Sequence, residues 1–349
     1  MGALGCPAGR RRRRAGPHVS ARPVEPRVEV LLDPDWASGS LVEDVRRGLG
    51  GLPRRLPPKW LYDDVGARLF DEITRLPEYY PTEAERSILA EHAVDIAAAC
   101  DASTLVELGS GTSDKTRTLL DAFRAPDRPG GSLRRFVPVD VSDATLREAA
   151  SMLSERYPGL AVEAVVGDFT LHLGRLPRGD RRMVAFLGST IGNFYREERA
   201  AFLGALADSL DTGEWLLLGT DLVKDEGRLL AAYDDSAGVT ERFIRNCLTV
   251  VNRELGADFD PGAFSYAPLW DRRMERVDMR LRAEEDQHVT VPGAGLEIDV
   301  AAGEEIRVEI STKFRFAGIR DELAEAGFSV TQSWTDAAGD FALTLARRD

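Results

Sequence analysis

The chain of 349 residues is poor in the side chains that metal and disulfide proteins need: it has three cysteines and four histidines, all scattered. Cys6, Cys100 and Cys247 make neither a ligand spacing nor a disulfide framework, so no metal is expected and a reducing compartment fits the odd count. No apolar run is long enough to span a bilayer. The first 27 residues, rich in Gly, Pro and Arg, also lack the apolar core of a signal peptide. Positive charge is in short supply as well. The net charge is -13 even with the basic run Arg10 to Arg14, so the rest of the chain repels phosphate backbones and nucleic acid is not the expected partner. A cytoplasmic monomer is expected, with residues 1–27 as a disordered Arg-rich tail.

What is present is enough apolar content, 43%, for sizeable cores and length enough for roughly two domains. Apolar runs alternate with helical patterns through the middle of the chain. "TLVELG" (104–109) precedes a helix near 113–123, and "RFVPVDV" (135–141) precedes a helix in which Leu146, Ala149, Ala150, Leu153 and Tyr157 form a buried stripe. "LAVEAVVGDF", "MVAFLGSTIGN" and "EWLLLGTDLV" continue the series, which predicts an α/β fold with a parallel sheet covered by helices. After residue 223 the pattern breaks into mixed helices and alternating strands. A last helix and two β-like runs, "FSVTQSWTD" and "FALTLA", are placed to close the sheet with an antiparallel pair.

The glycine turn in "TLVELGSGTSDKTRTL" leads from a strand into a helix and invites a nucleotide. A dinucleotide fingerprint needs a third glycine that is missing after Gly109 and Gly111, and Lys115 lacks the neighbours of a phosphate loop. The pattern Glu107-Leu-Gly-Ser-Gly resembles instead the first motif of class I S-adenosylmethionine-dependent methyltransferases. Asp140 ends the second strand, where an acid can accept both ribose hydroxyls; Asp168 ends the third, near an adenine amino group, with Phe169 able to stack.

Longer stretches sharpen the resemblance. "LPPKWLYDDVGARLFDEITRLPEYYPTEAE", "VELGSGTSDKTR", "FLGSTIGN", "LLLGTDLVKD", "AYDDSAGVT" and "NRELGADFD" are similar to the histidine-specific N-alpha-methyltransferases of ergothioneine biosynthesis. The resemblance implies a Rossmann-like methyltransferase domain over 84–222 plus 314–349. A second, α+β substrate-binding domain would comprise 28–83 plus 223–313. It further implies three methyl transfers from S-adenosylmethionine to the α-amino nitrogen of L-histidine, giving hercynine. Gly109, Lys115, Asp140, Asp168 and Phe169 would contact the cofactor. Tyr79, Asn193 and Tyr233 would hold the amino acid's backbone end, and Glu309, Ile310 and Ser311 the imidazole end, with Tyr62 positioning the substrate and Met279 a wall.

Residue chemistry agrees in part. Asn193 offers amide donors and an acceptor, and Glu309 and Ser311, two apart in an alternating strand, can satisfy both imidazole nitrogens. By alternation alone, however, Arg307, Glu309, Ser311 and Lys313 read as a solvated strand face, and Tyr80 as a core aromatic. A methyltransferase for another aromatic amino acid stays open; so, from a different class, does a nicotinamide-dependent oxidoreductase, which the missing glycine disfavours.

Overall fold

The computed structural model describes residues 24–33, 36–125, 133–179 and 181–349. The Arg-rich run and most of the expected tail lie outside these residues. An eight-stranded sheet has the spatial order Arg27–Val30, Ala161–Val166, Arg135–Asp140, Thr104–Leu108, Arg182–Phe186, Trp215–Asp221, Phe341–Arg348, Phe328–Thr335. The first six strands pair in parallel, and Phe341–Arg348 runs antiparallel between Trp215–Asp221 and Phe328–Thr335. The closing antiparallel pair is thus where the two last β-like runs lead one to expect it.

The apolar runs are apolar because both faces of this sheet are covered. Leu105 and Phe136 pack on one face with Ile88, Leu89 and Ile96 of the helix Tyr80–Cys100. Val106, Leu108, Val137 and Val139 pack on the other with Phe202, Leu203 and Leu206 of the helix Arg196–Ser209. The helix Tyr80–Cys100 opens with Pro81 in its first turn, where a missing N–H costs nothing, and stops at Asp101, whose φ of 43° is left-handed. The stripe Leu146, Ala149, Ala150, Leu153 is buried on the helix Asp143–Arg156, as its spacing predicts. Arg182, 1% exposed, begins its strand by binding Glu214: Nε lies 3.0 Å from both carboxylate oxygens and Nη2 2.6 Å from Oε2.

A second sheet has the order Arg54–Arg55, Glu305–Thr312, Arg276–Ala283, Phe264–Tyr266, with Leu269–Asp271 also on Arg276–Ala283. Its core joins Val277, Leu281, Ile306 and Val308 to Phe243, Leu248 and Val251 of the helix Val239–Leu255, and to Leu41, Val45 and Leu49 of the helix Trp36–Leu49.

The N-terminal segment differs from expectation at its start. Arg27–Val30, of which Arg27 is expected in the tail and the rest in the second domain, lies in register with Glu163 to Val166 at the edge of the large sheet, and Leu31 N donates to Val166 O at 2.9 Å. Val28 packs on one face and Leu31 on the other, so the strand is held by the large sheet's cores.

Candidate active site

The glycine turn follows Thr104–Leu108 at the carboxyl end of the large sheet. Gly109 and Gly111 have φ of +67° and +48°, a region that suits residues without a side chain. A Cβ at Gly111 would meet nothing within 4 Å, and one at Gly109 would approach only Phe169 Cε1, at 3.6 Å. Between the two glycines the backbone therefore borders open space. Ser110 Oγ, in the turn itself, is buried with no hydrogen-bond partner. Burial pushes the Glu107 carboxyl up to about 7.

Asp140 ends its strand beside this turn. Its Oδ2 accepts from Gly111 N at 3.0 Å and its Oδ1 from Ser142 N at 3.1 Å, so each oxygen is aimed by one backbone donor and keeps a lone pair free for a hydroxyl. Asp168 caps the short helix Phe169–His172 through Oδ1, which accepts from Thr170 N at 2.9 Å. Phe169 stands edge-on to Phe186 and Phe202, with centroids 5.4 and 6.0 Å away. Lys115 pairs with Glu85, a carboxylate with no exposed side-chain surface whose Oε1 accepts from Gly188 N at 2.8 Å. Glu85 thereby joins the helix after the glycine turn to the loop after Arg182–Phe186. The open cradle, the orphaned Ser110 hydroxyl and the aimed carboxylate of Asp140 fit a ligand of ribose, amino acid and base without phosphates.

The loop after Arg182–Phe186 turns sharply because Gly188 and Ser189 both take left-handed φ, 74° and 57°. This sends the 3₁₀ turn Thr190–Asn193 toward the second sheet. There a Cβ at Gly192 would lie 2.8 Å from Thr312 O, so the turn rests directly on strand backbone.

A cavity opens at this junction. Tyr62, Tyr79, Gly188, Asn193, Tyr233, Met279, Glu309 and Ser311 are all on its wall. Seven of these, Gly188 excepted, are residues singled out in the sequence. Tyr79 and Tyr233 meet edge to face at 6.1 Å, and Tyr62 meets Phe243, another wall residue, at 5.3 Å. Asn193 Nδ2 donates to Glu309 Oε1 at 2.9 Å. Burial raises the Glu309 carboxyl to about 8, opposed by the positive charge of Lys313. Burial likewise holds the Tyr62, Tyr79 and Tyr233 phenols well above their ordinary value, so all three stay protonated.

Three readings need correction. Ile310 is absent from the cavity wall: it pairs with Asp278 and, between Glu309 and Ser311, projects to the opposite face of its strand. The row Arg307, Glu309, Ser311, Lys313 is not a solvated face, since the last three are 8%, 5% and 2% exposed. A register shift between Met279 and Arg280 turns Arg307 away from that row, to Asp278 at 2.9 Å. Tyr80 is not a plain core aromatic either, because its hydroxyl donates to Asp221 at 2.9 Å and accepts from Lys224 Nζ at 2.6 Å.

Behind the wall lies a polar group that sequence reasoning missed. Asp221, at the carboxyl end of its strand, is fully buried and contacts Lys224, Tyr80 and Lys313, and its N–H donates to Ser189 Oγ at 2.9 Å. An acid ending an apolar strand, the signal that marked Asp140 and Asp168, was available for Asp221 too.

The sheet order, the glycine turn on its central strand and the acids at the next two strand ends define a class I S-adenosylmethionine-dependent methyltransferase. A family model described as histidine-specific, SAM-dependent methyltransferase matches residues 41–348, and the chain belongs to that family. It is 56% identical over 317 residues to a histidine N-alpha-methyltransferase of Mycolicibacterium smegmatis, covering 91% of this chain and 98% of that one. The histidine N-alpha-methyltransferase of Mycobacterium tuberculosis is 54% identical with the same coverage. Ergothioneine biosynthesis protein 1 of Schizosaccharomyces pombe is 30% identical over 326 residues, 90% of this chain and 40% of that protein. Among the described residues no helix is long and apolar enough to cross a membrane.

Proposed function

We propose that the protein transfers three methyl groups in succession from S-adenosylmethionine to the α-amino nitrogen of L-histidine, giving hercynine, the first step of ergothioneine biosynthesis. The observation that supports this most directly is the cavity in which Asn193, Tyr79, Tyr233, Glu309 and Ser311 converge, with Gly188 of the loop after Arg182–Phe186 on the same wall.

In this reading Gly109 and Gly111 leave room for the cofactor, Asp140 takes the ribose hydroxyls, Asp168 and Phe169 take the adenine, and Lys115 takes the carboxylate. When bound, the cofactor supplies a methyl group already activated on sulfonium sulfur. The protein therefore needs to hold a neutral amine in line with it, and no strong base is required of the side chains. Asn193, Tyr79 and Tyr233 hold the carboxylate end, Glu309 and Ser311 the imidazole, and Tyr62 and Met279 close the sides. Hydrogen bonds to the amine are lost as methyls accumulate, so grip must come from the substrate's two ends. Tyrosine faces remain useful throughout, because cation–π attraction of ~0.5–2 kcal/mol does not depend on N–H donors.

The test is incubation with S-adenosylmethionine and the twenty common amino acids, followed by mass spectrometry. A product three methyl groups heavier than histidine is expected. Methylation of another amino acid in preference, or a product that stops at one methyl group, would replace the proposal.

A further inference from the structure

We infer that Lys313 is a positioning residue that sets the cavity's preference for an imidazole ring by fixing the direction of the hydroxyl protons on Ser311 and Tyr233. The inference rests on the histidine reading above and deepens it.

Lys313 follows the strand that carries Glu309 and Ser311, and its side chain has no exposed surface. Its Nζ lies 2.6 Å from Tyr233 Oη, 2.7 Å from Ser311 Oγ and 2.7 Å from Asp221 Oδ2. An ammonium carries three N–H donors and no lone pair, so each of these oxygens accepts from it. Burial pulls the Lys313 pKa down and the Asp221 carboxylate opposes that; a site built of three acceptors suits the charged form. Asp221 is itself fixed by Lys224 and by the Tyr80 hydroxyl at 2.9 Å.

Ser311 Oγ and Tyr233 Oη are also 2.8 Å apart. One of the two hydroxyls donates to the other, and the pair retains a single O–H. That proton cannot point at the ammonium, and both side chains lie on the cavity wall, so it points into the cavity. Beside it stands Glu309, whose carboxyl has an accepting oxygen in either protonation state. Glu309 and Ser311 stand two residues apart, about 6.6 Å along the backbone, a spacing on the scale of a five-membered ring with nitrogens in 1,3 positions and one hydrogen bond at each end. The wall thus offers one acceptor and one donor, the complement of a neutral imidazole's N–H and lone pair. A ring without a lone-pair nitrogen leaves the buried O–H unmatched, which is costly.

The test compares wild-type protein with Lys313→Met and Lys313→Gln, using L-histidine and β-(2-thienyl)-L-alanine, a ring of similar size without nitrogen. Loss of the directed hydroxyl should raise the histidine KM of K313M by about 10- to 100-fold, the cost of a buried hydrogen bond, and shrink the histidine-to-thienylalanine ratio of kcat/KM in proportion. The KM for S-adenosylmethionine should stay within about twofold, a split that general damage to the fold would not produce. K313Q keeps amide donors near the two oxygens without the charge, so its ratio should fall between wild type and K313M. A wild-type ratio in K313M or in K313Q overturns the inference, and the K313Q result decides alone if K313M does not fold. A K313Q ratio no better than that of K313M would instead make Lys313 a charge partner of Asp221 only. Wild-type protein that leaves histidine unmethylated overturns the histidine reading and this inference with it.

Discussion

Asn193 Nδ2 and Glu309 Oε1 are 2.9 Å apart, a hydrogen bond that ties the loop of the large sheet to the central part of a strand in the second sheet. The residue expected at the substrate's backbone end and the residue expected at its ring end therefore hold each other. Their effects on substrate binding should be coupled.

Glu309→Ala should raise the KM for histidine by about 10-fold or more and leave that for S-adenosylmethionine nearly unchanged. Steady-state kinetics of E309A, N193A and the double variant form a cycle in which the two substitutions are non-additive by about 0.5–3 kcal/mol. Equal effects on both substrates would remove Glu309 from the ring site.

Glu309 also gives stability a pH dependence. Its folded value, about 8, lies above the ordinary carboxylate value of an unfolded chain. The folded state therefore holds this proton more tightly, and the resulting stability is full below about pH 4.3 and lost as pH rises through about 8. Glu309→Gln should abolish this contribution. Thermal melts of the substrate-free proteins from pH 5 to 9 should show the variant gaining on wild type as pH rises; Glu107, shifted the same way, is common to both and cancels.

Gly111→Ala separates folding from cofactor binding. Its Cβ meets nothing within 4 Å, so the cost to stability is that of a left-handed alanine, about 1–2 kcal/mol. The methyl group would stand in the cradle. Calorimetric titration should find S-adenosylmethionine binding weakened by about 10-fold or more while the melting temperature falls by only a few degrees.

Glu214→Ala should be the costliest of these changes. It leaves the Arg182 guanidinium buried beside no carboxylate, for a loss of about 3–5 kcal/mol in denaturant titration. Since the pair lies at the amino end of its strand, a milder Glu214→Gln that folds should keep both KM values.

The large sheet was legible in the sequence because strands buried on both faces are mostly apolar, as "WLLLG" is and as "TLVEL" is apart from Thr104 and Glu107. Arg27–Val30 was not legible: four residues, two of them charged, carry too little periodicity, and only the neighbouring strand makes them β. The cofactor turn could be read from glycines and strand-end acids, which act locally. The polar row Glu309, Ser311 and Lys313 could not be read as buried from its own pattern. Its burial is decided by Tyr233, 78 positions earlier than Ser311 in the chain, and by the Asn193 loop, and alternation carries no trace of either. Only the family resemblance pointed there, and it pointed one residue too widely at Ile310.

Gly192 brings the two sheets into backbone contact, with Thr312 O 2.8 Å from where a Cβ would be. The separation between Asn193 and Ser311 is consequently set by main chain against main chain, with no side chain to act as a compressible spacer. For the proposed substrate this would make the site a gauge for length: if Asn193 and Ser311 hold its two ends, an amino acid whose ring stands one methylene farther from its α-carbon should lose one of the two anchors, whatever the chemistry of the ring.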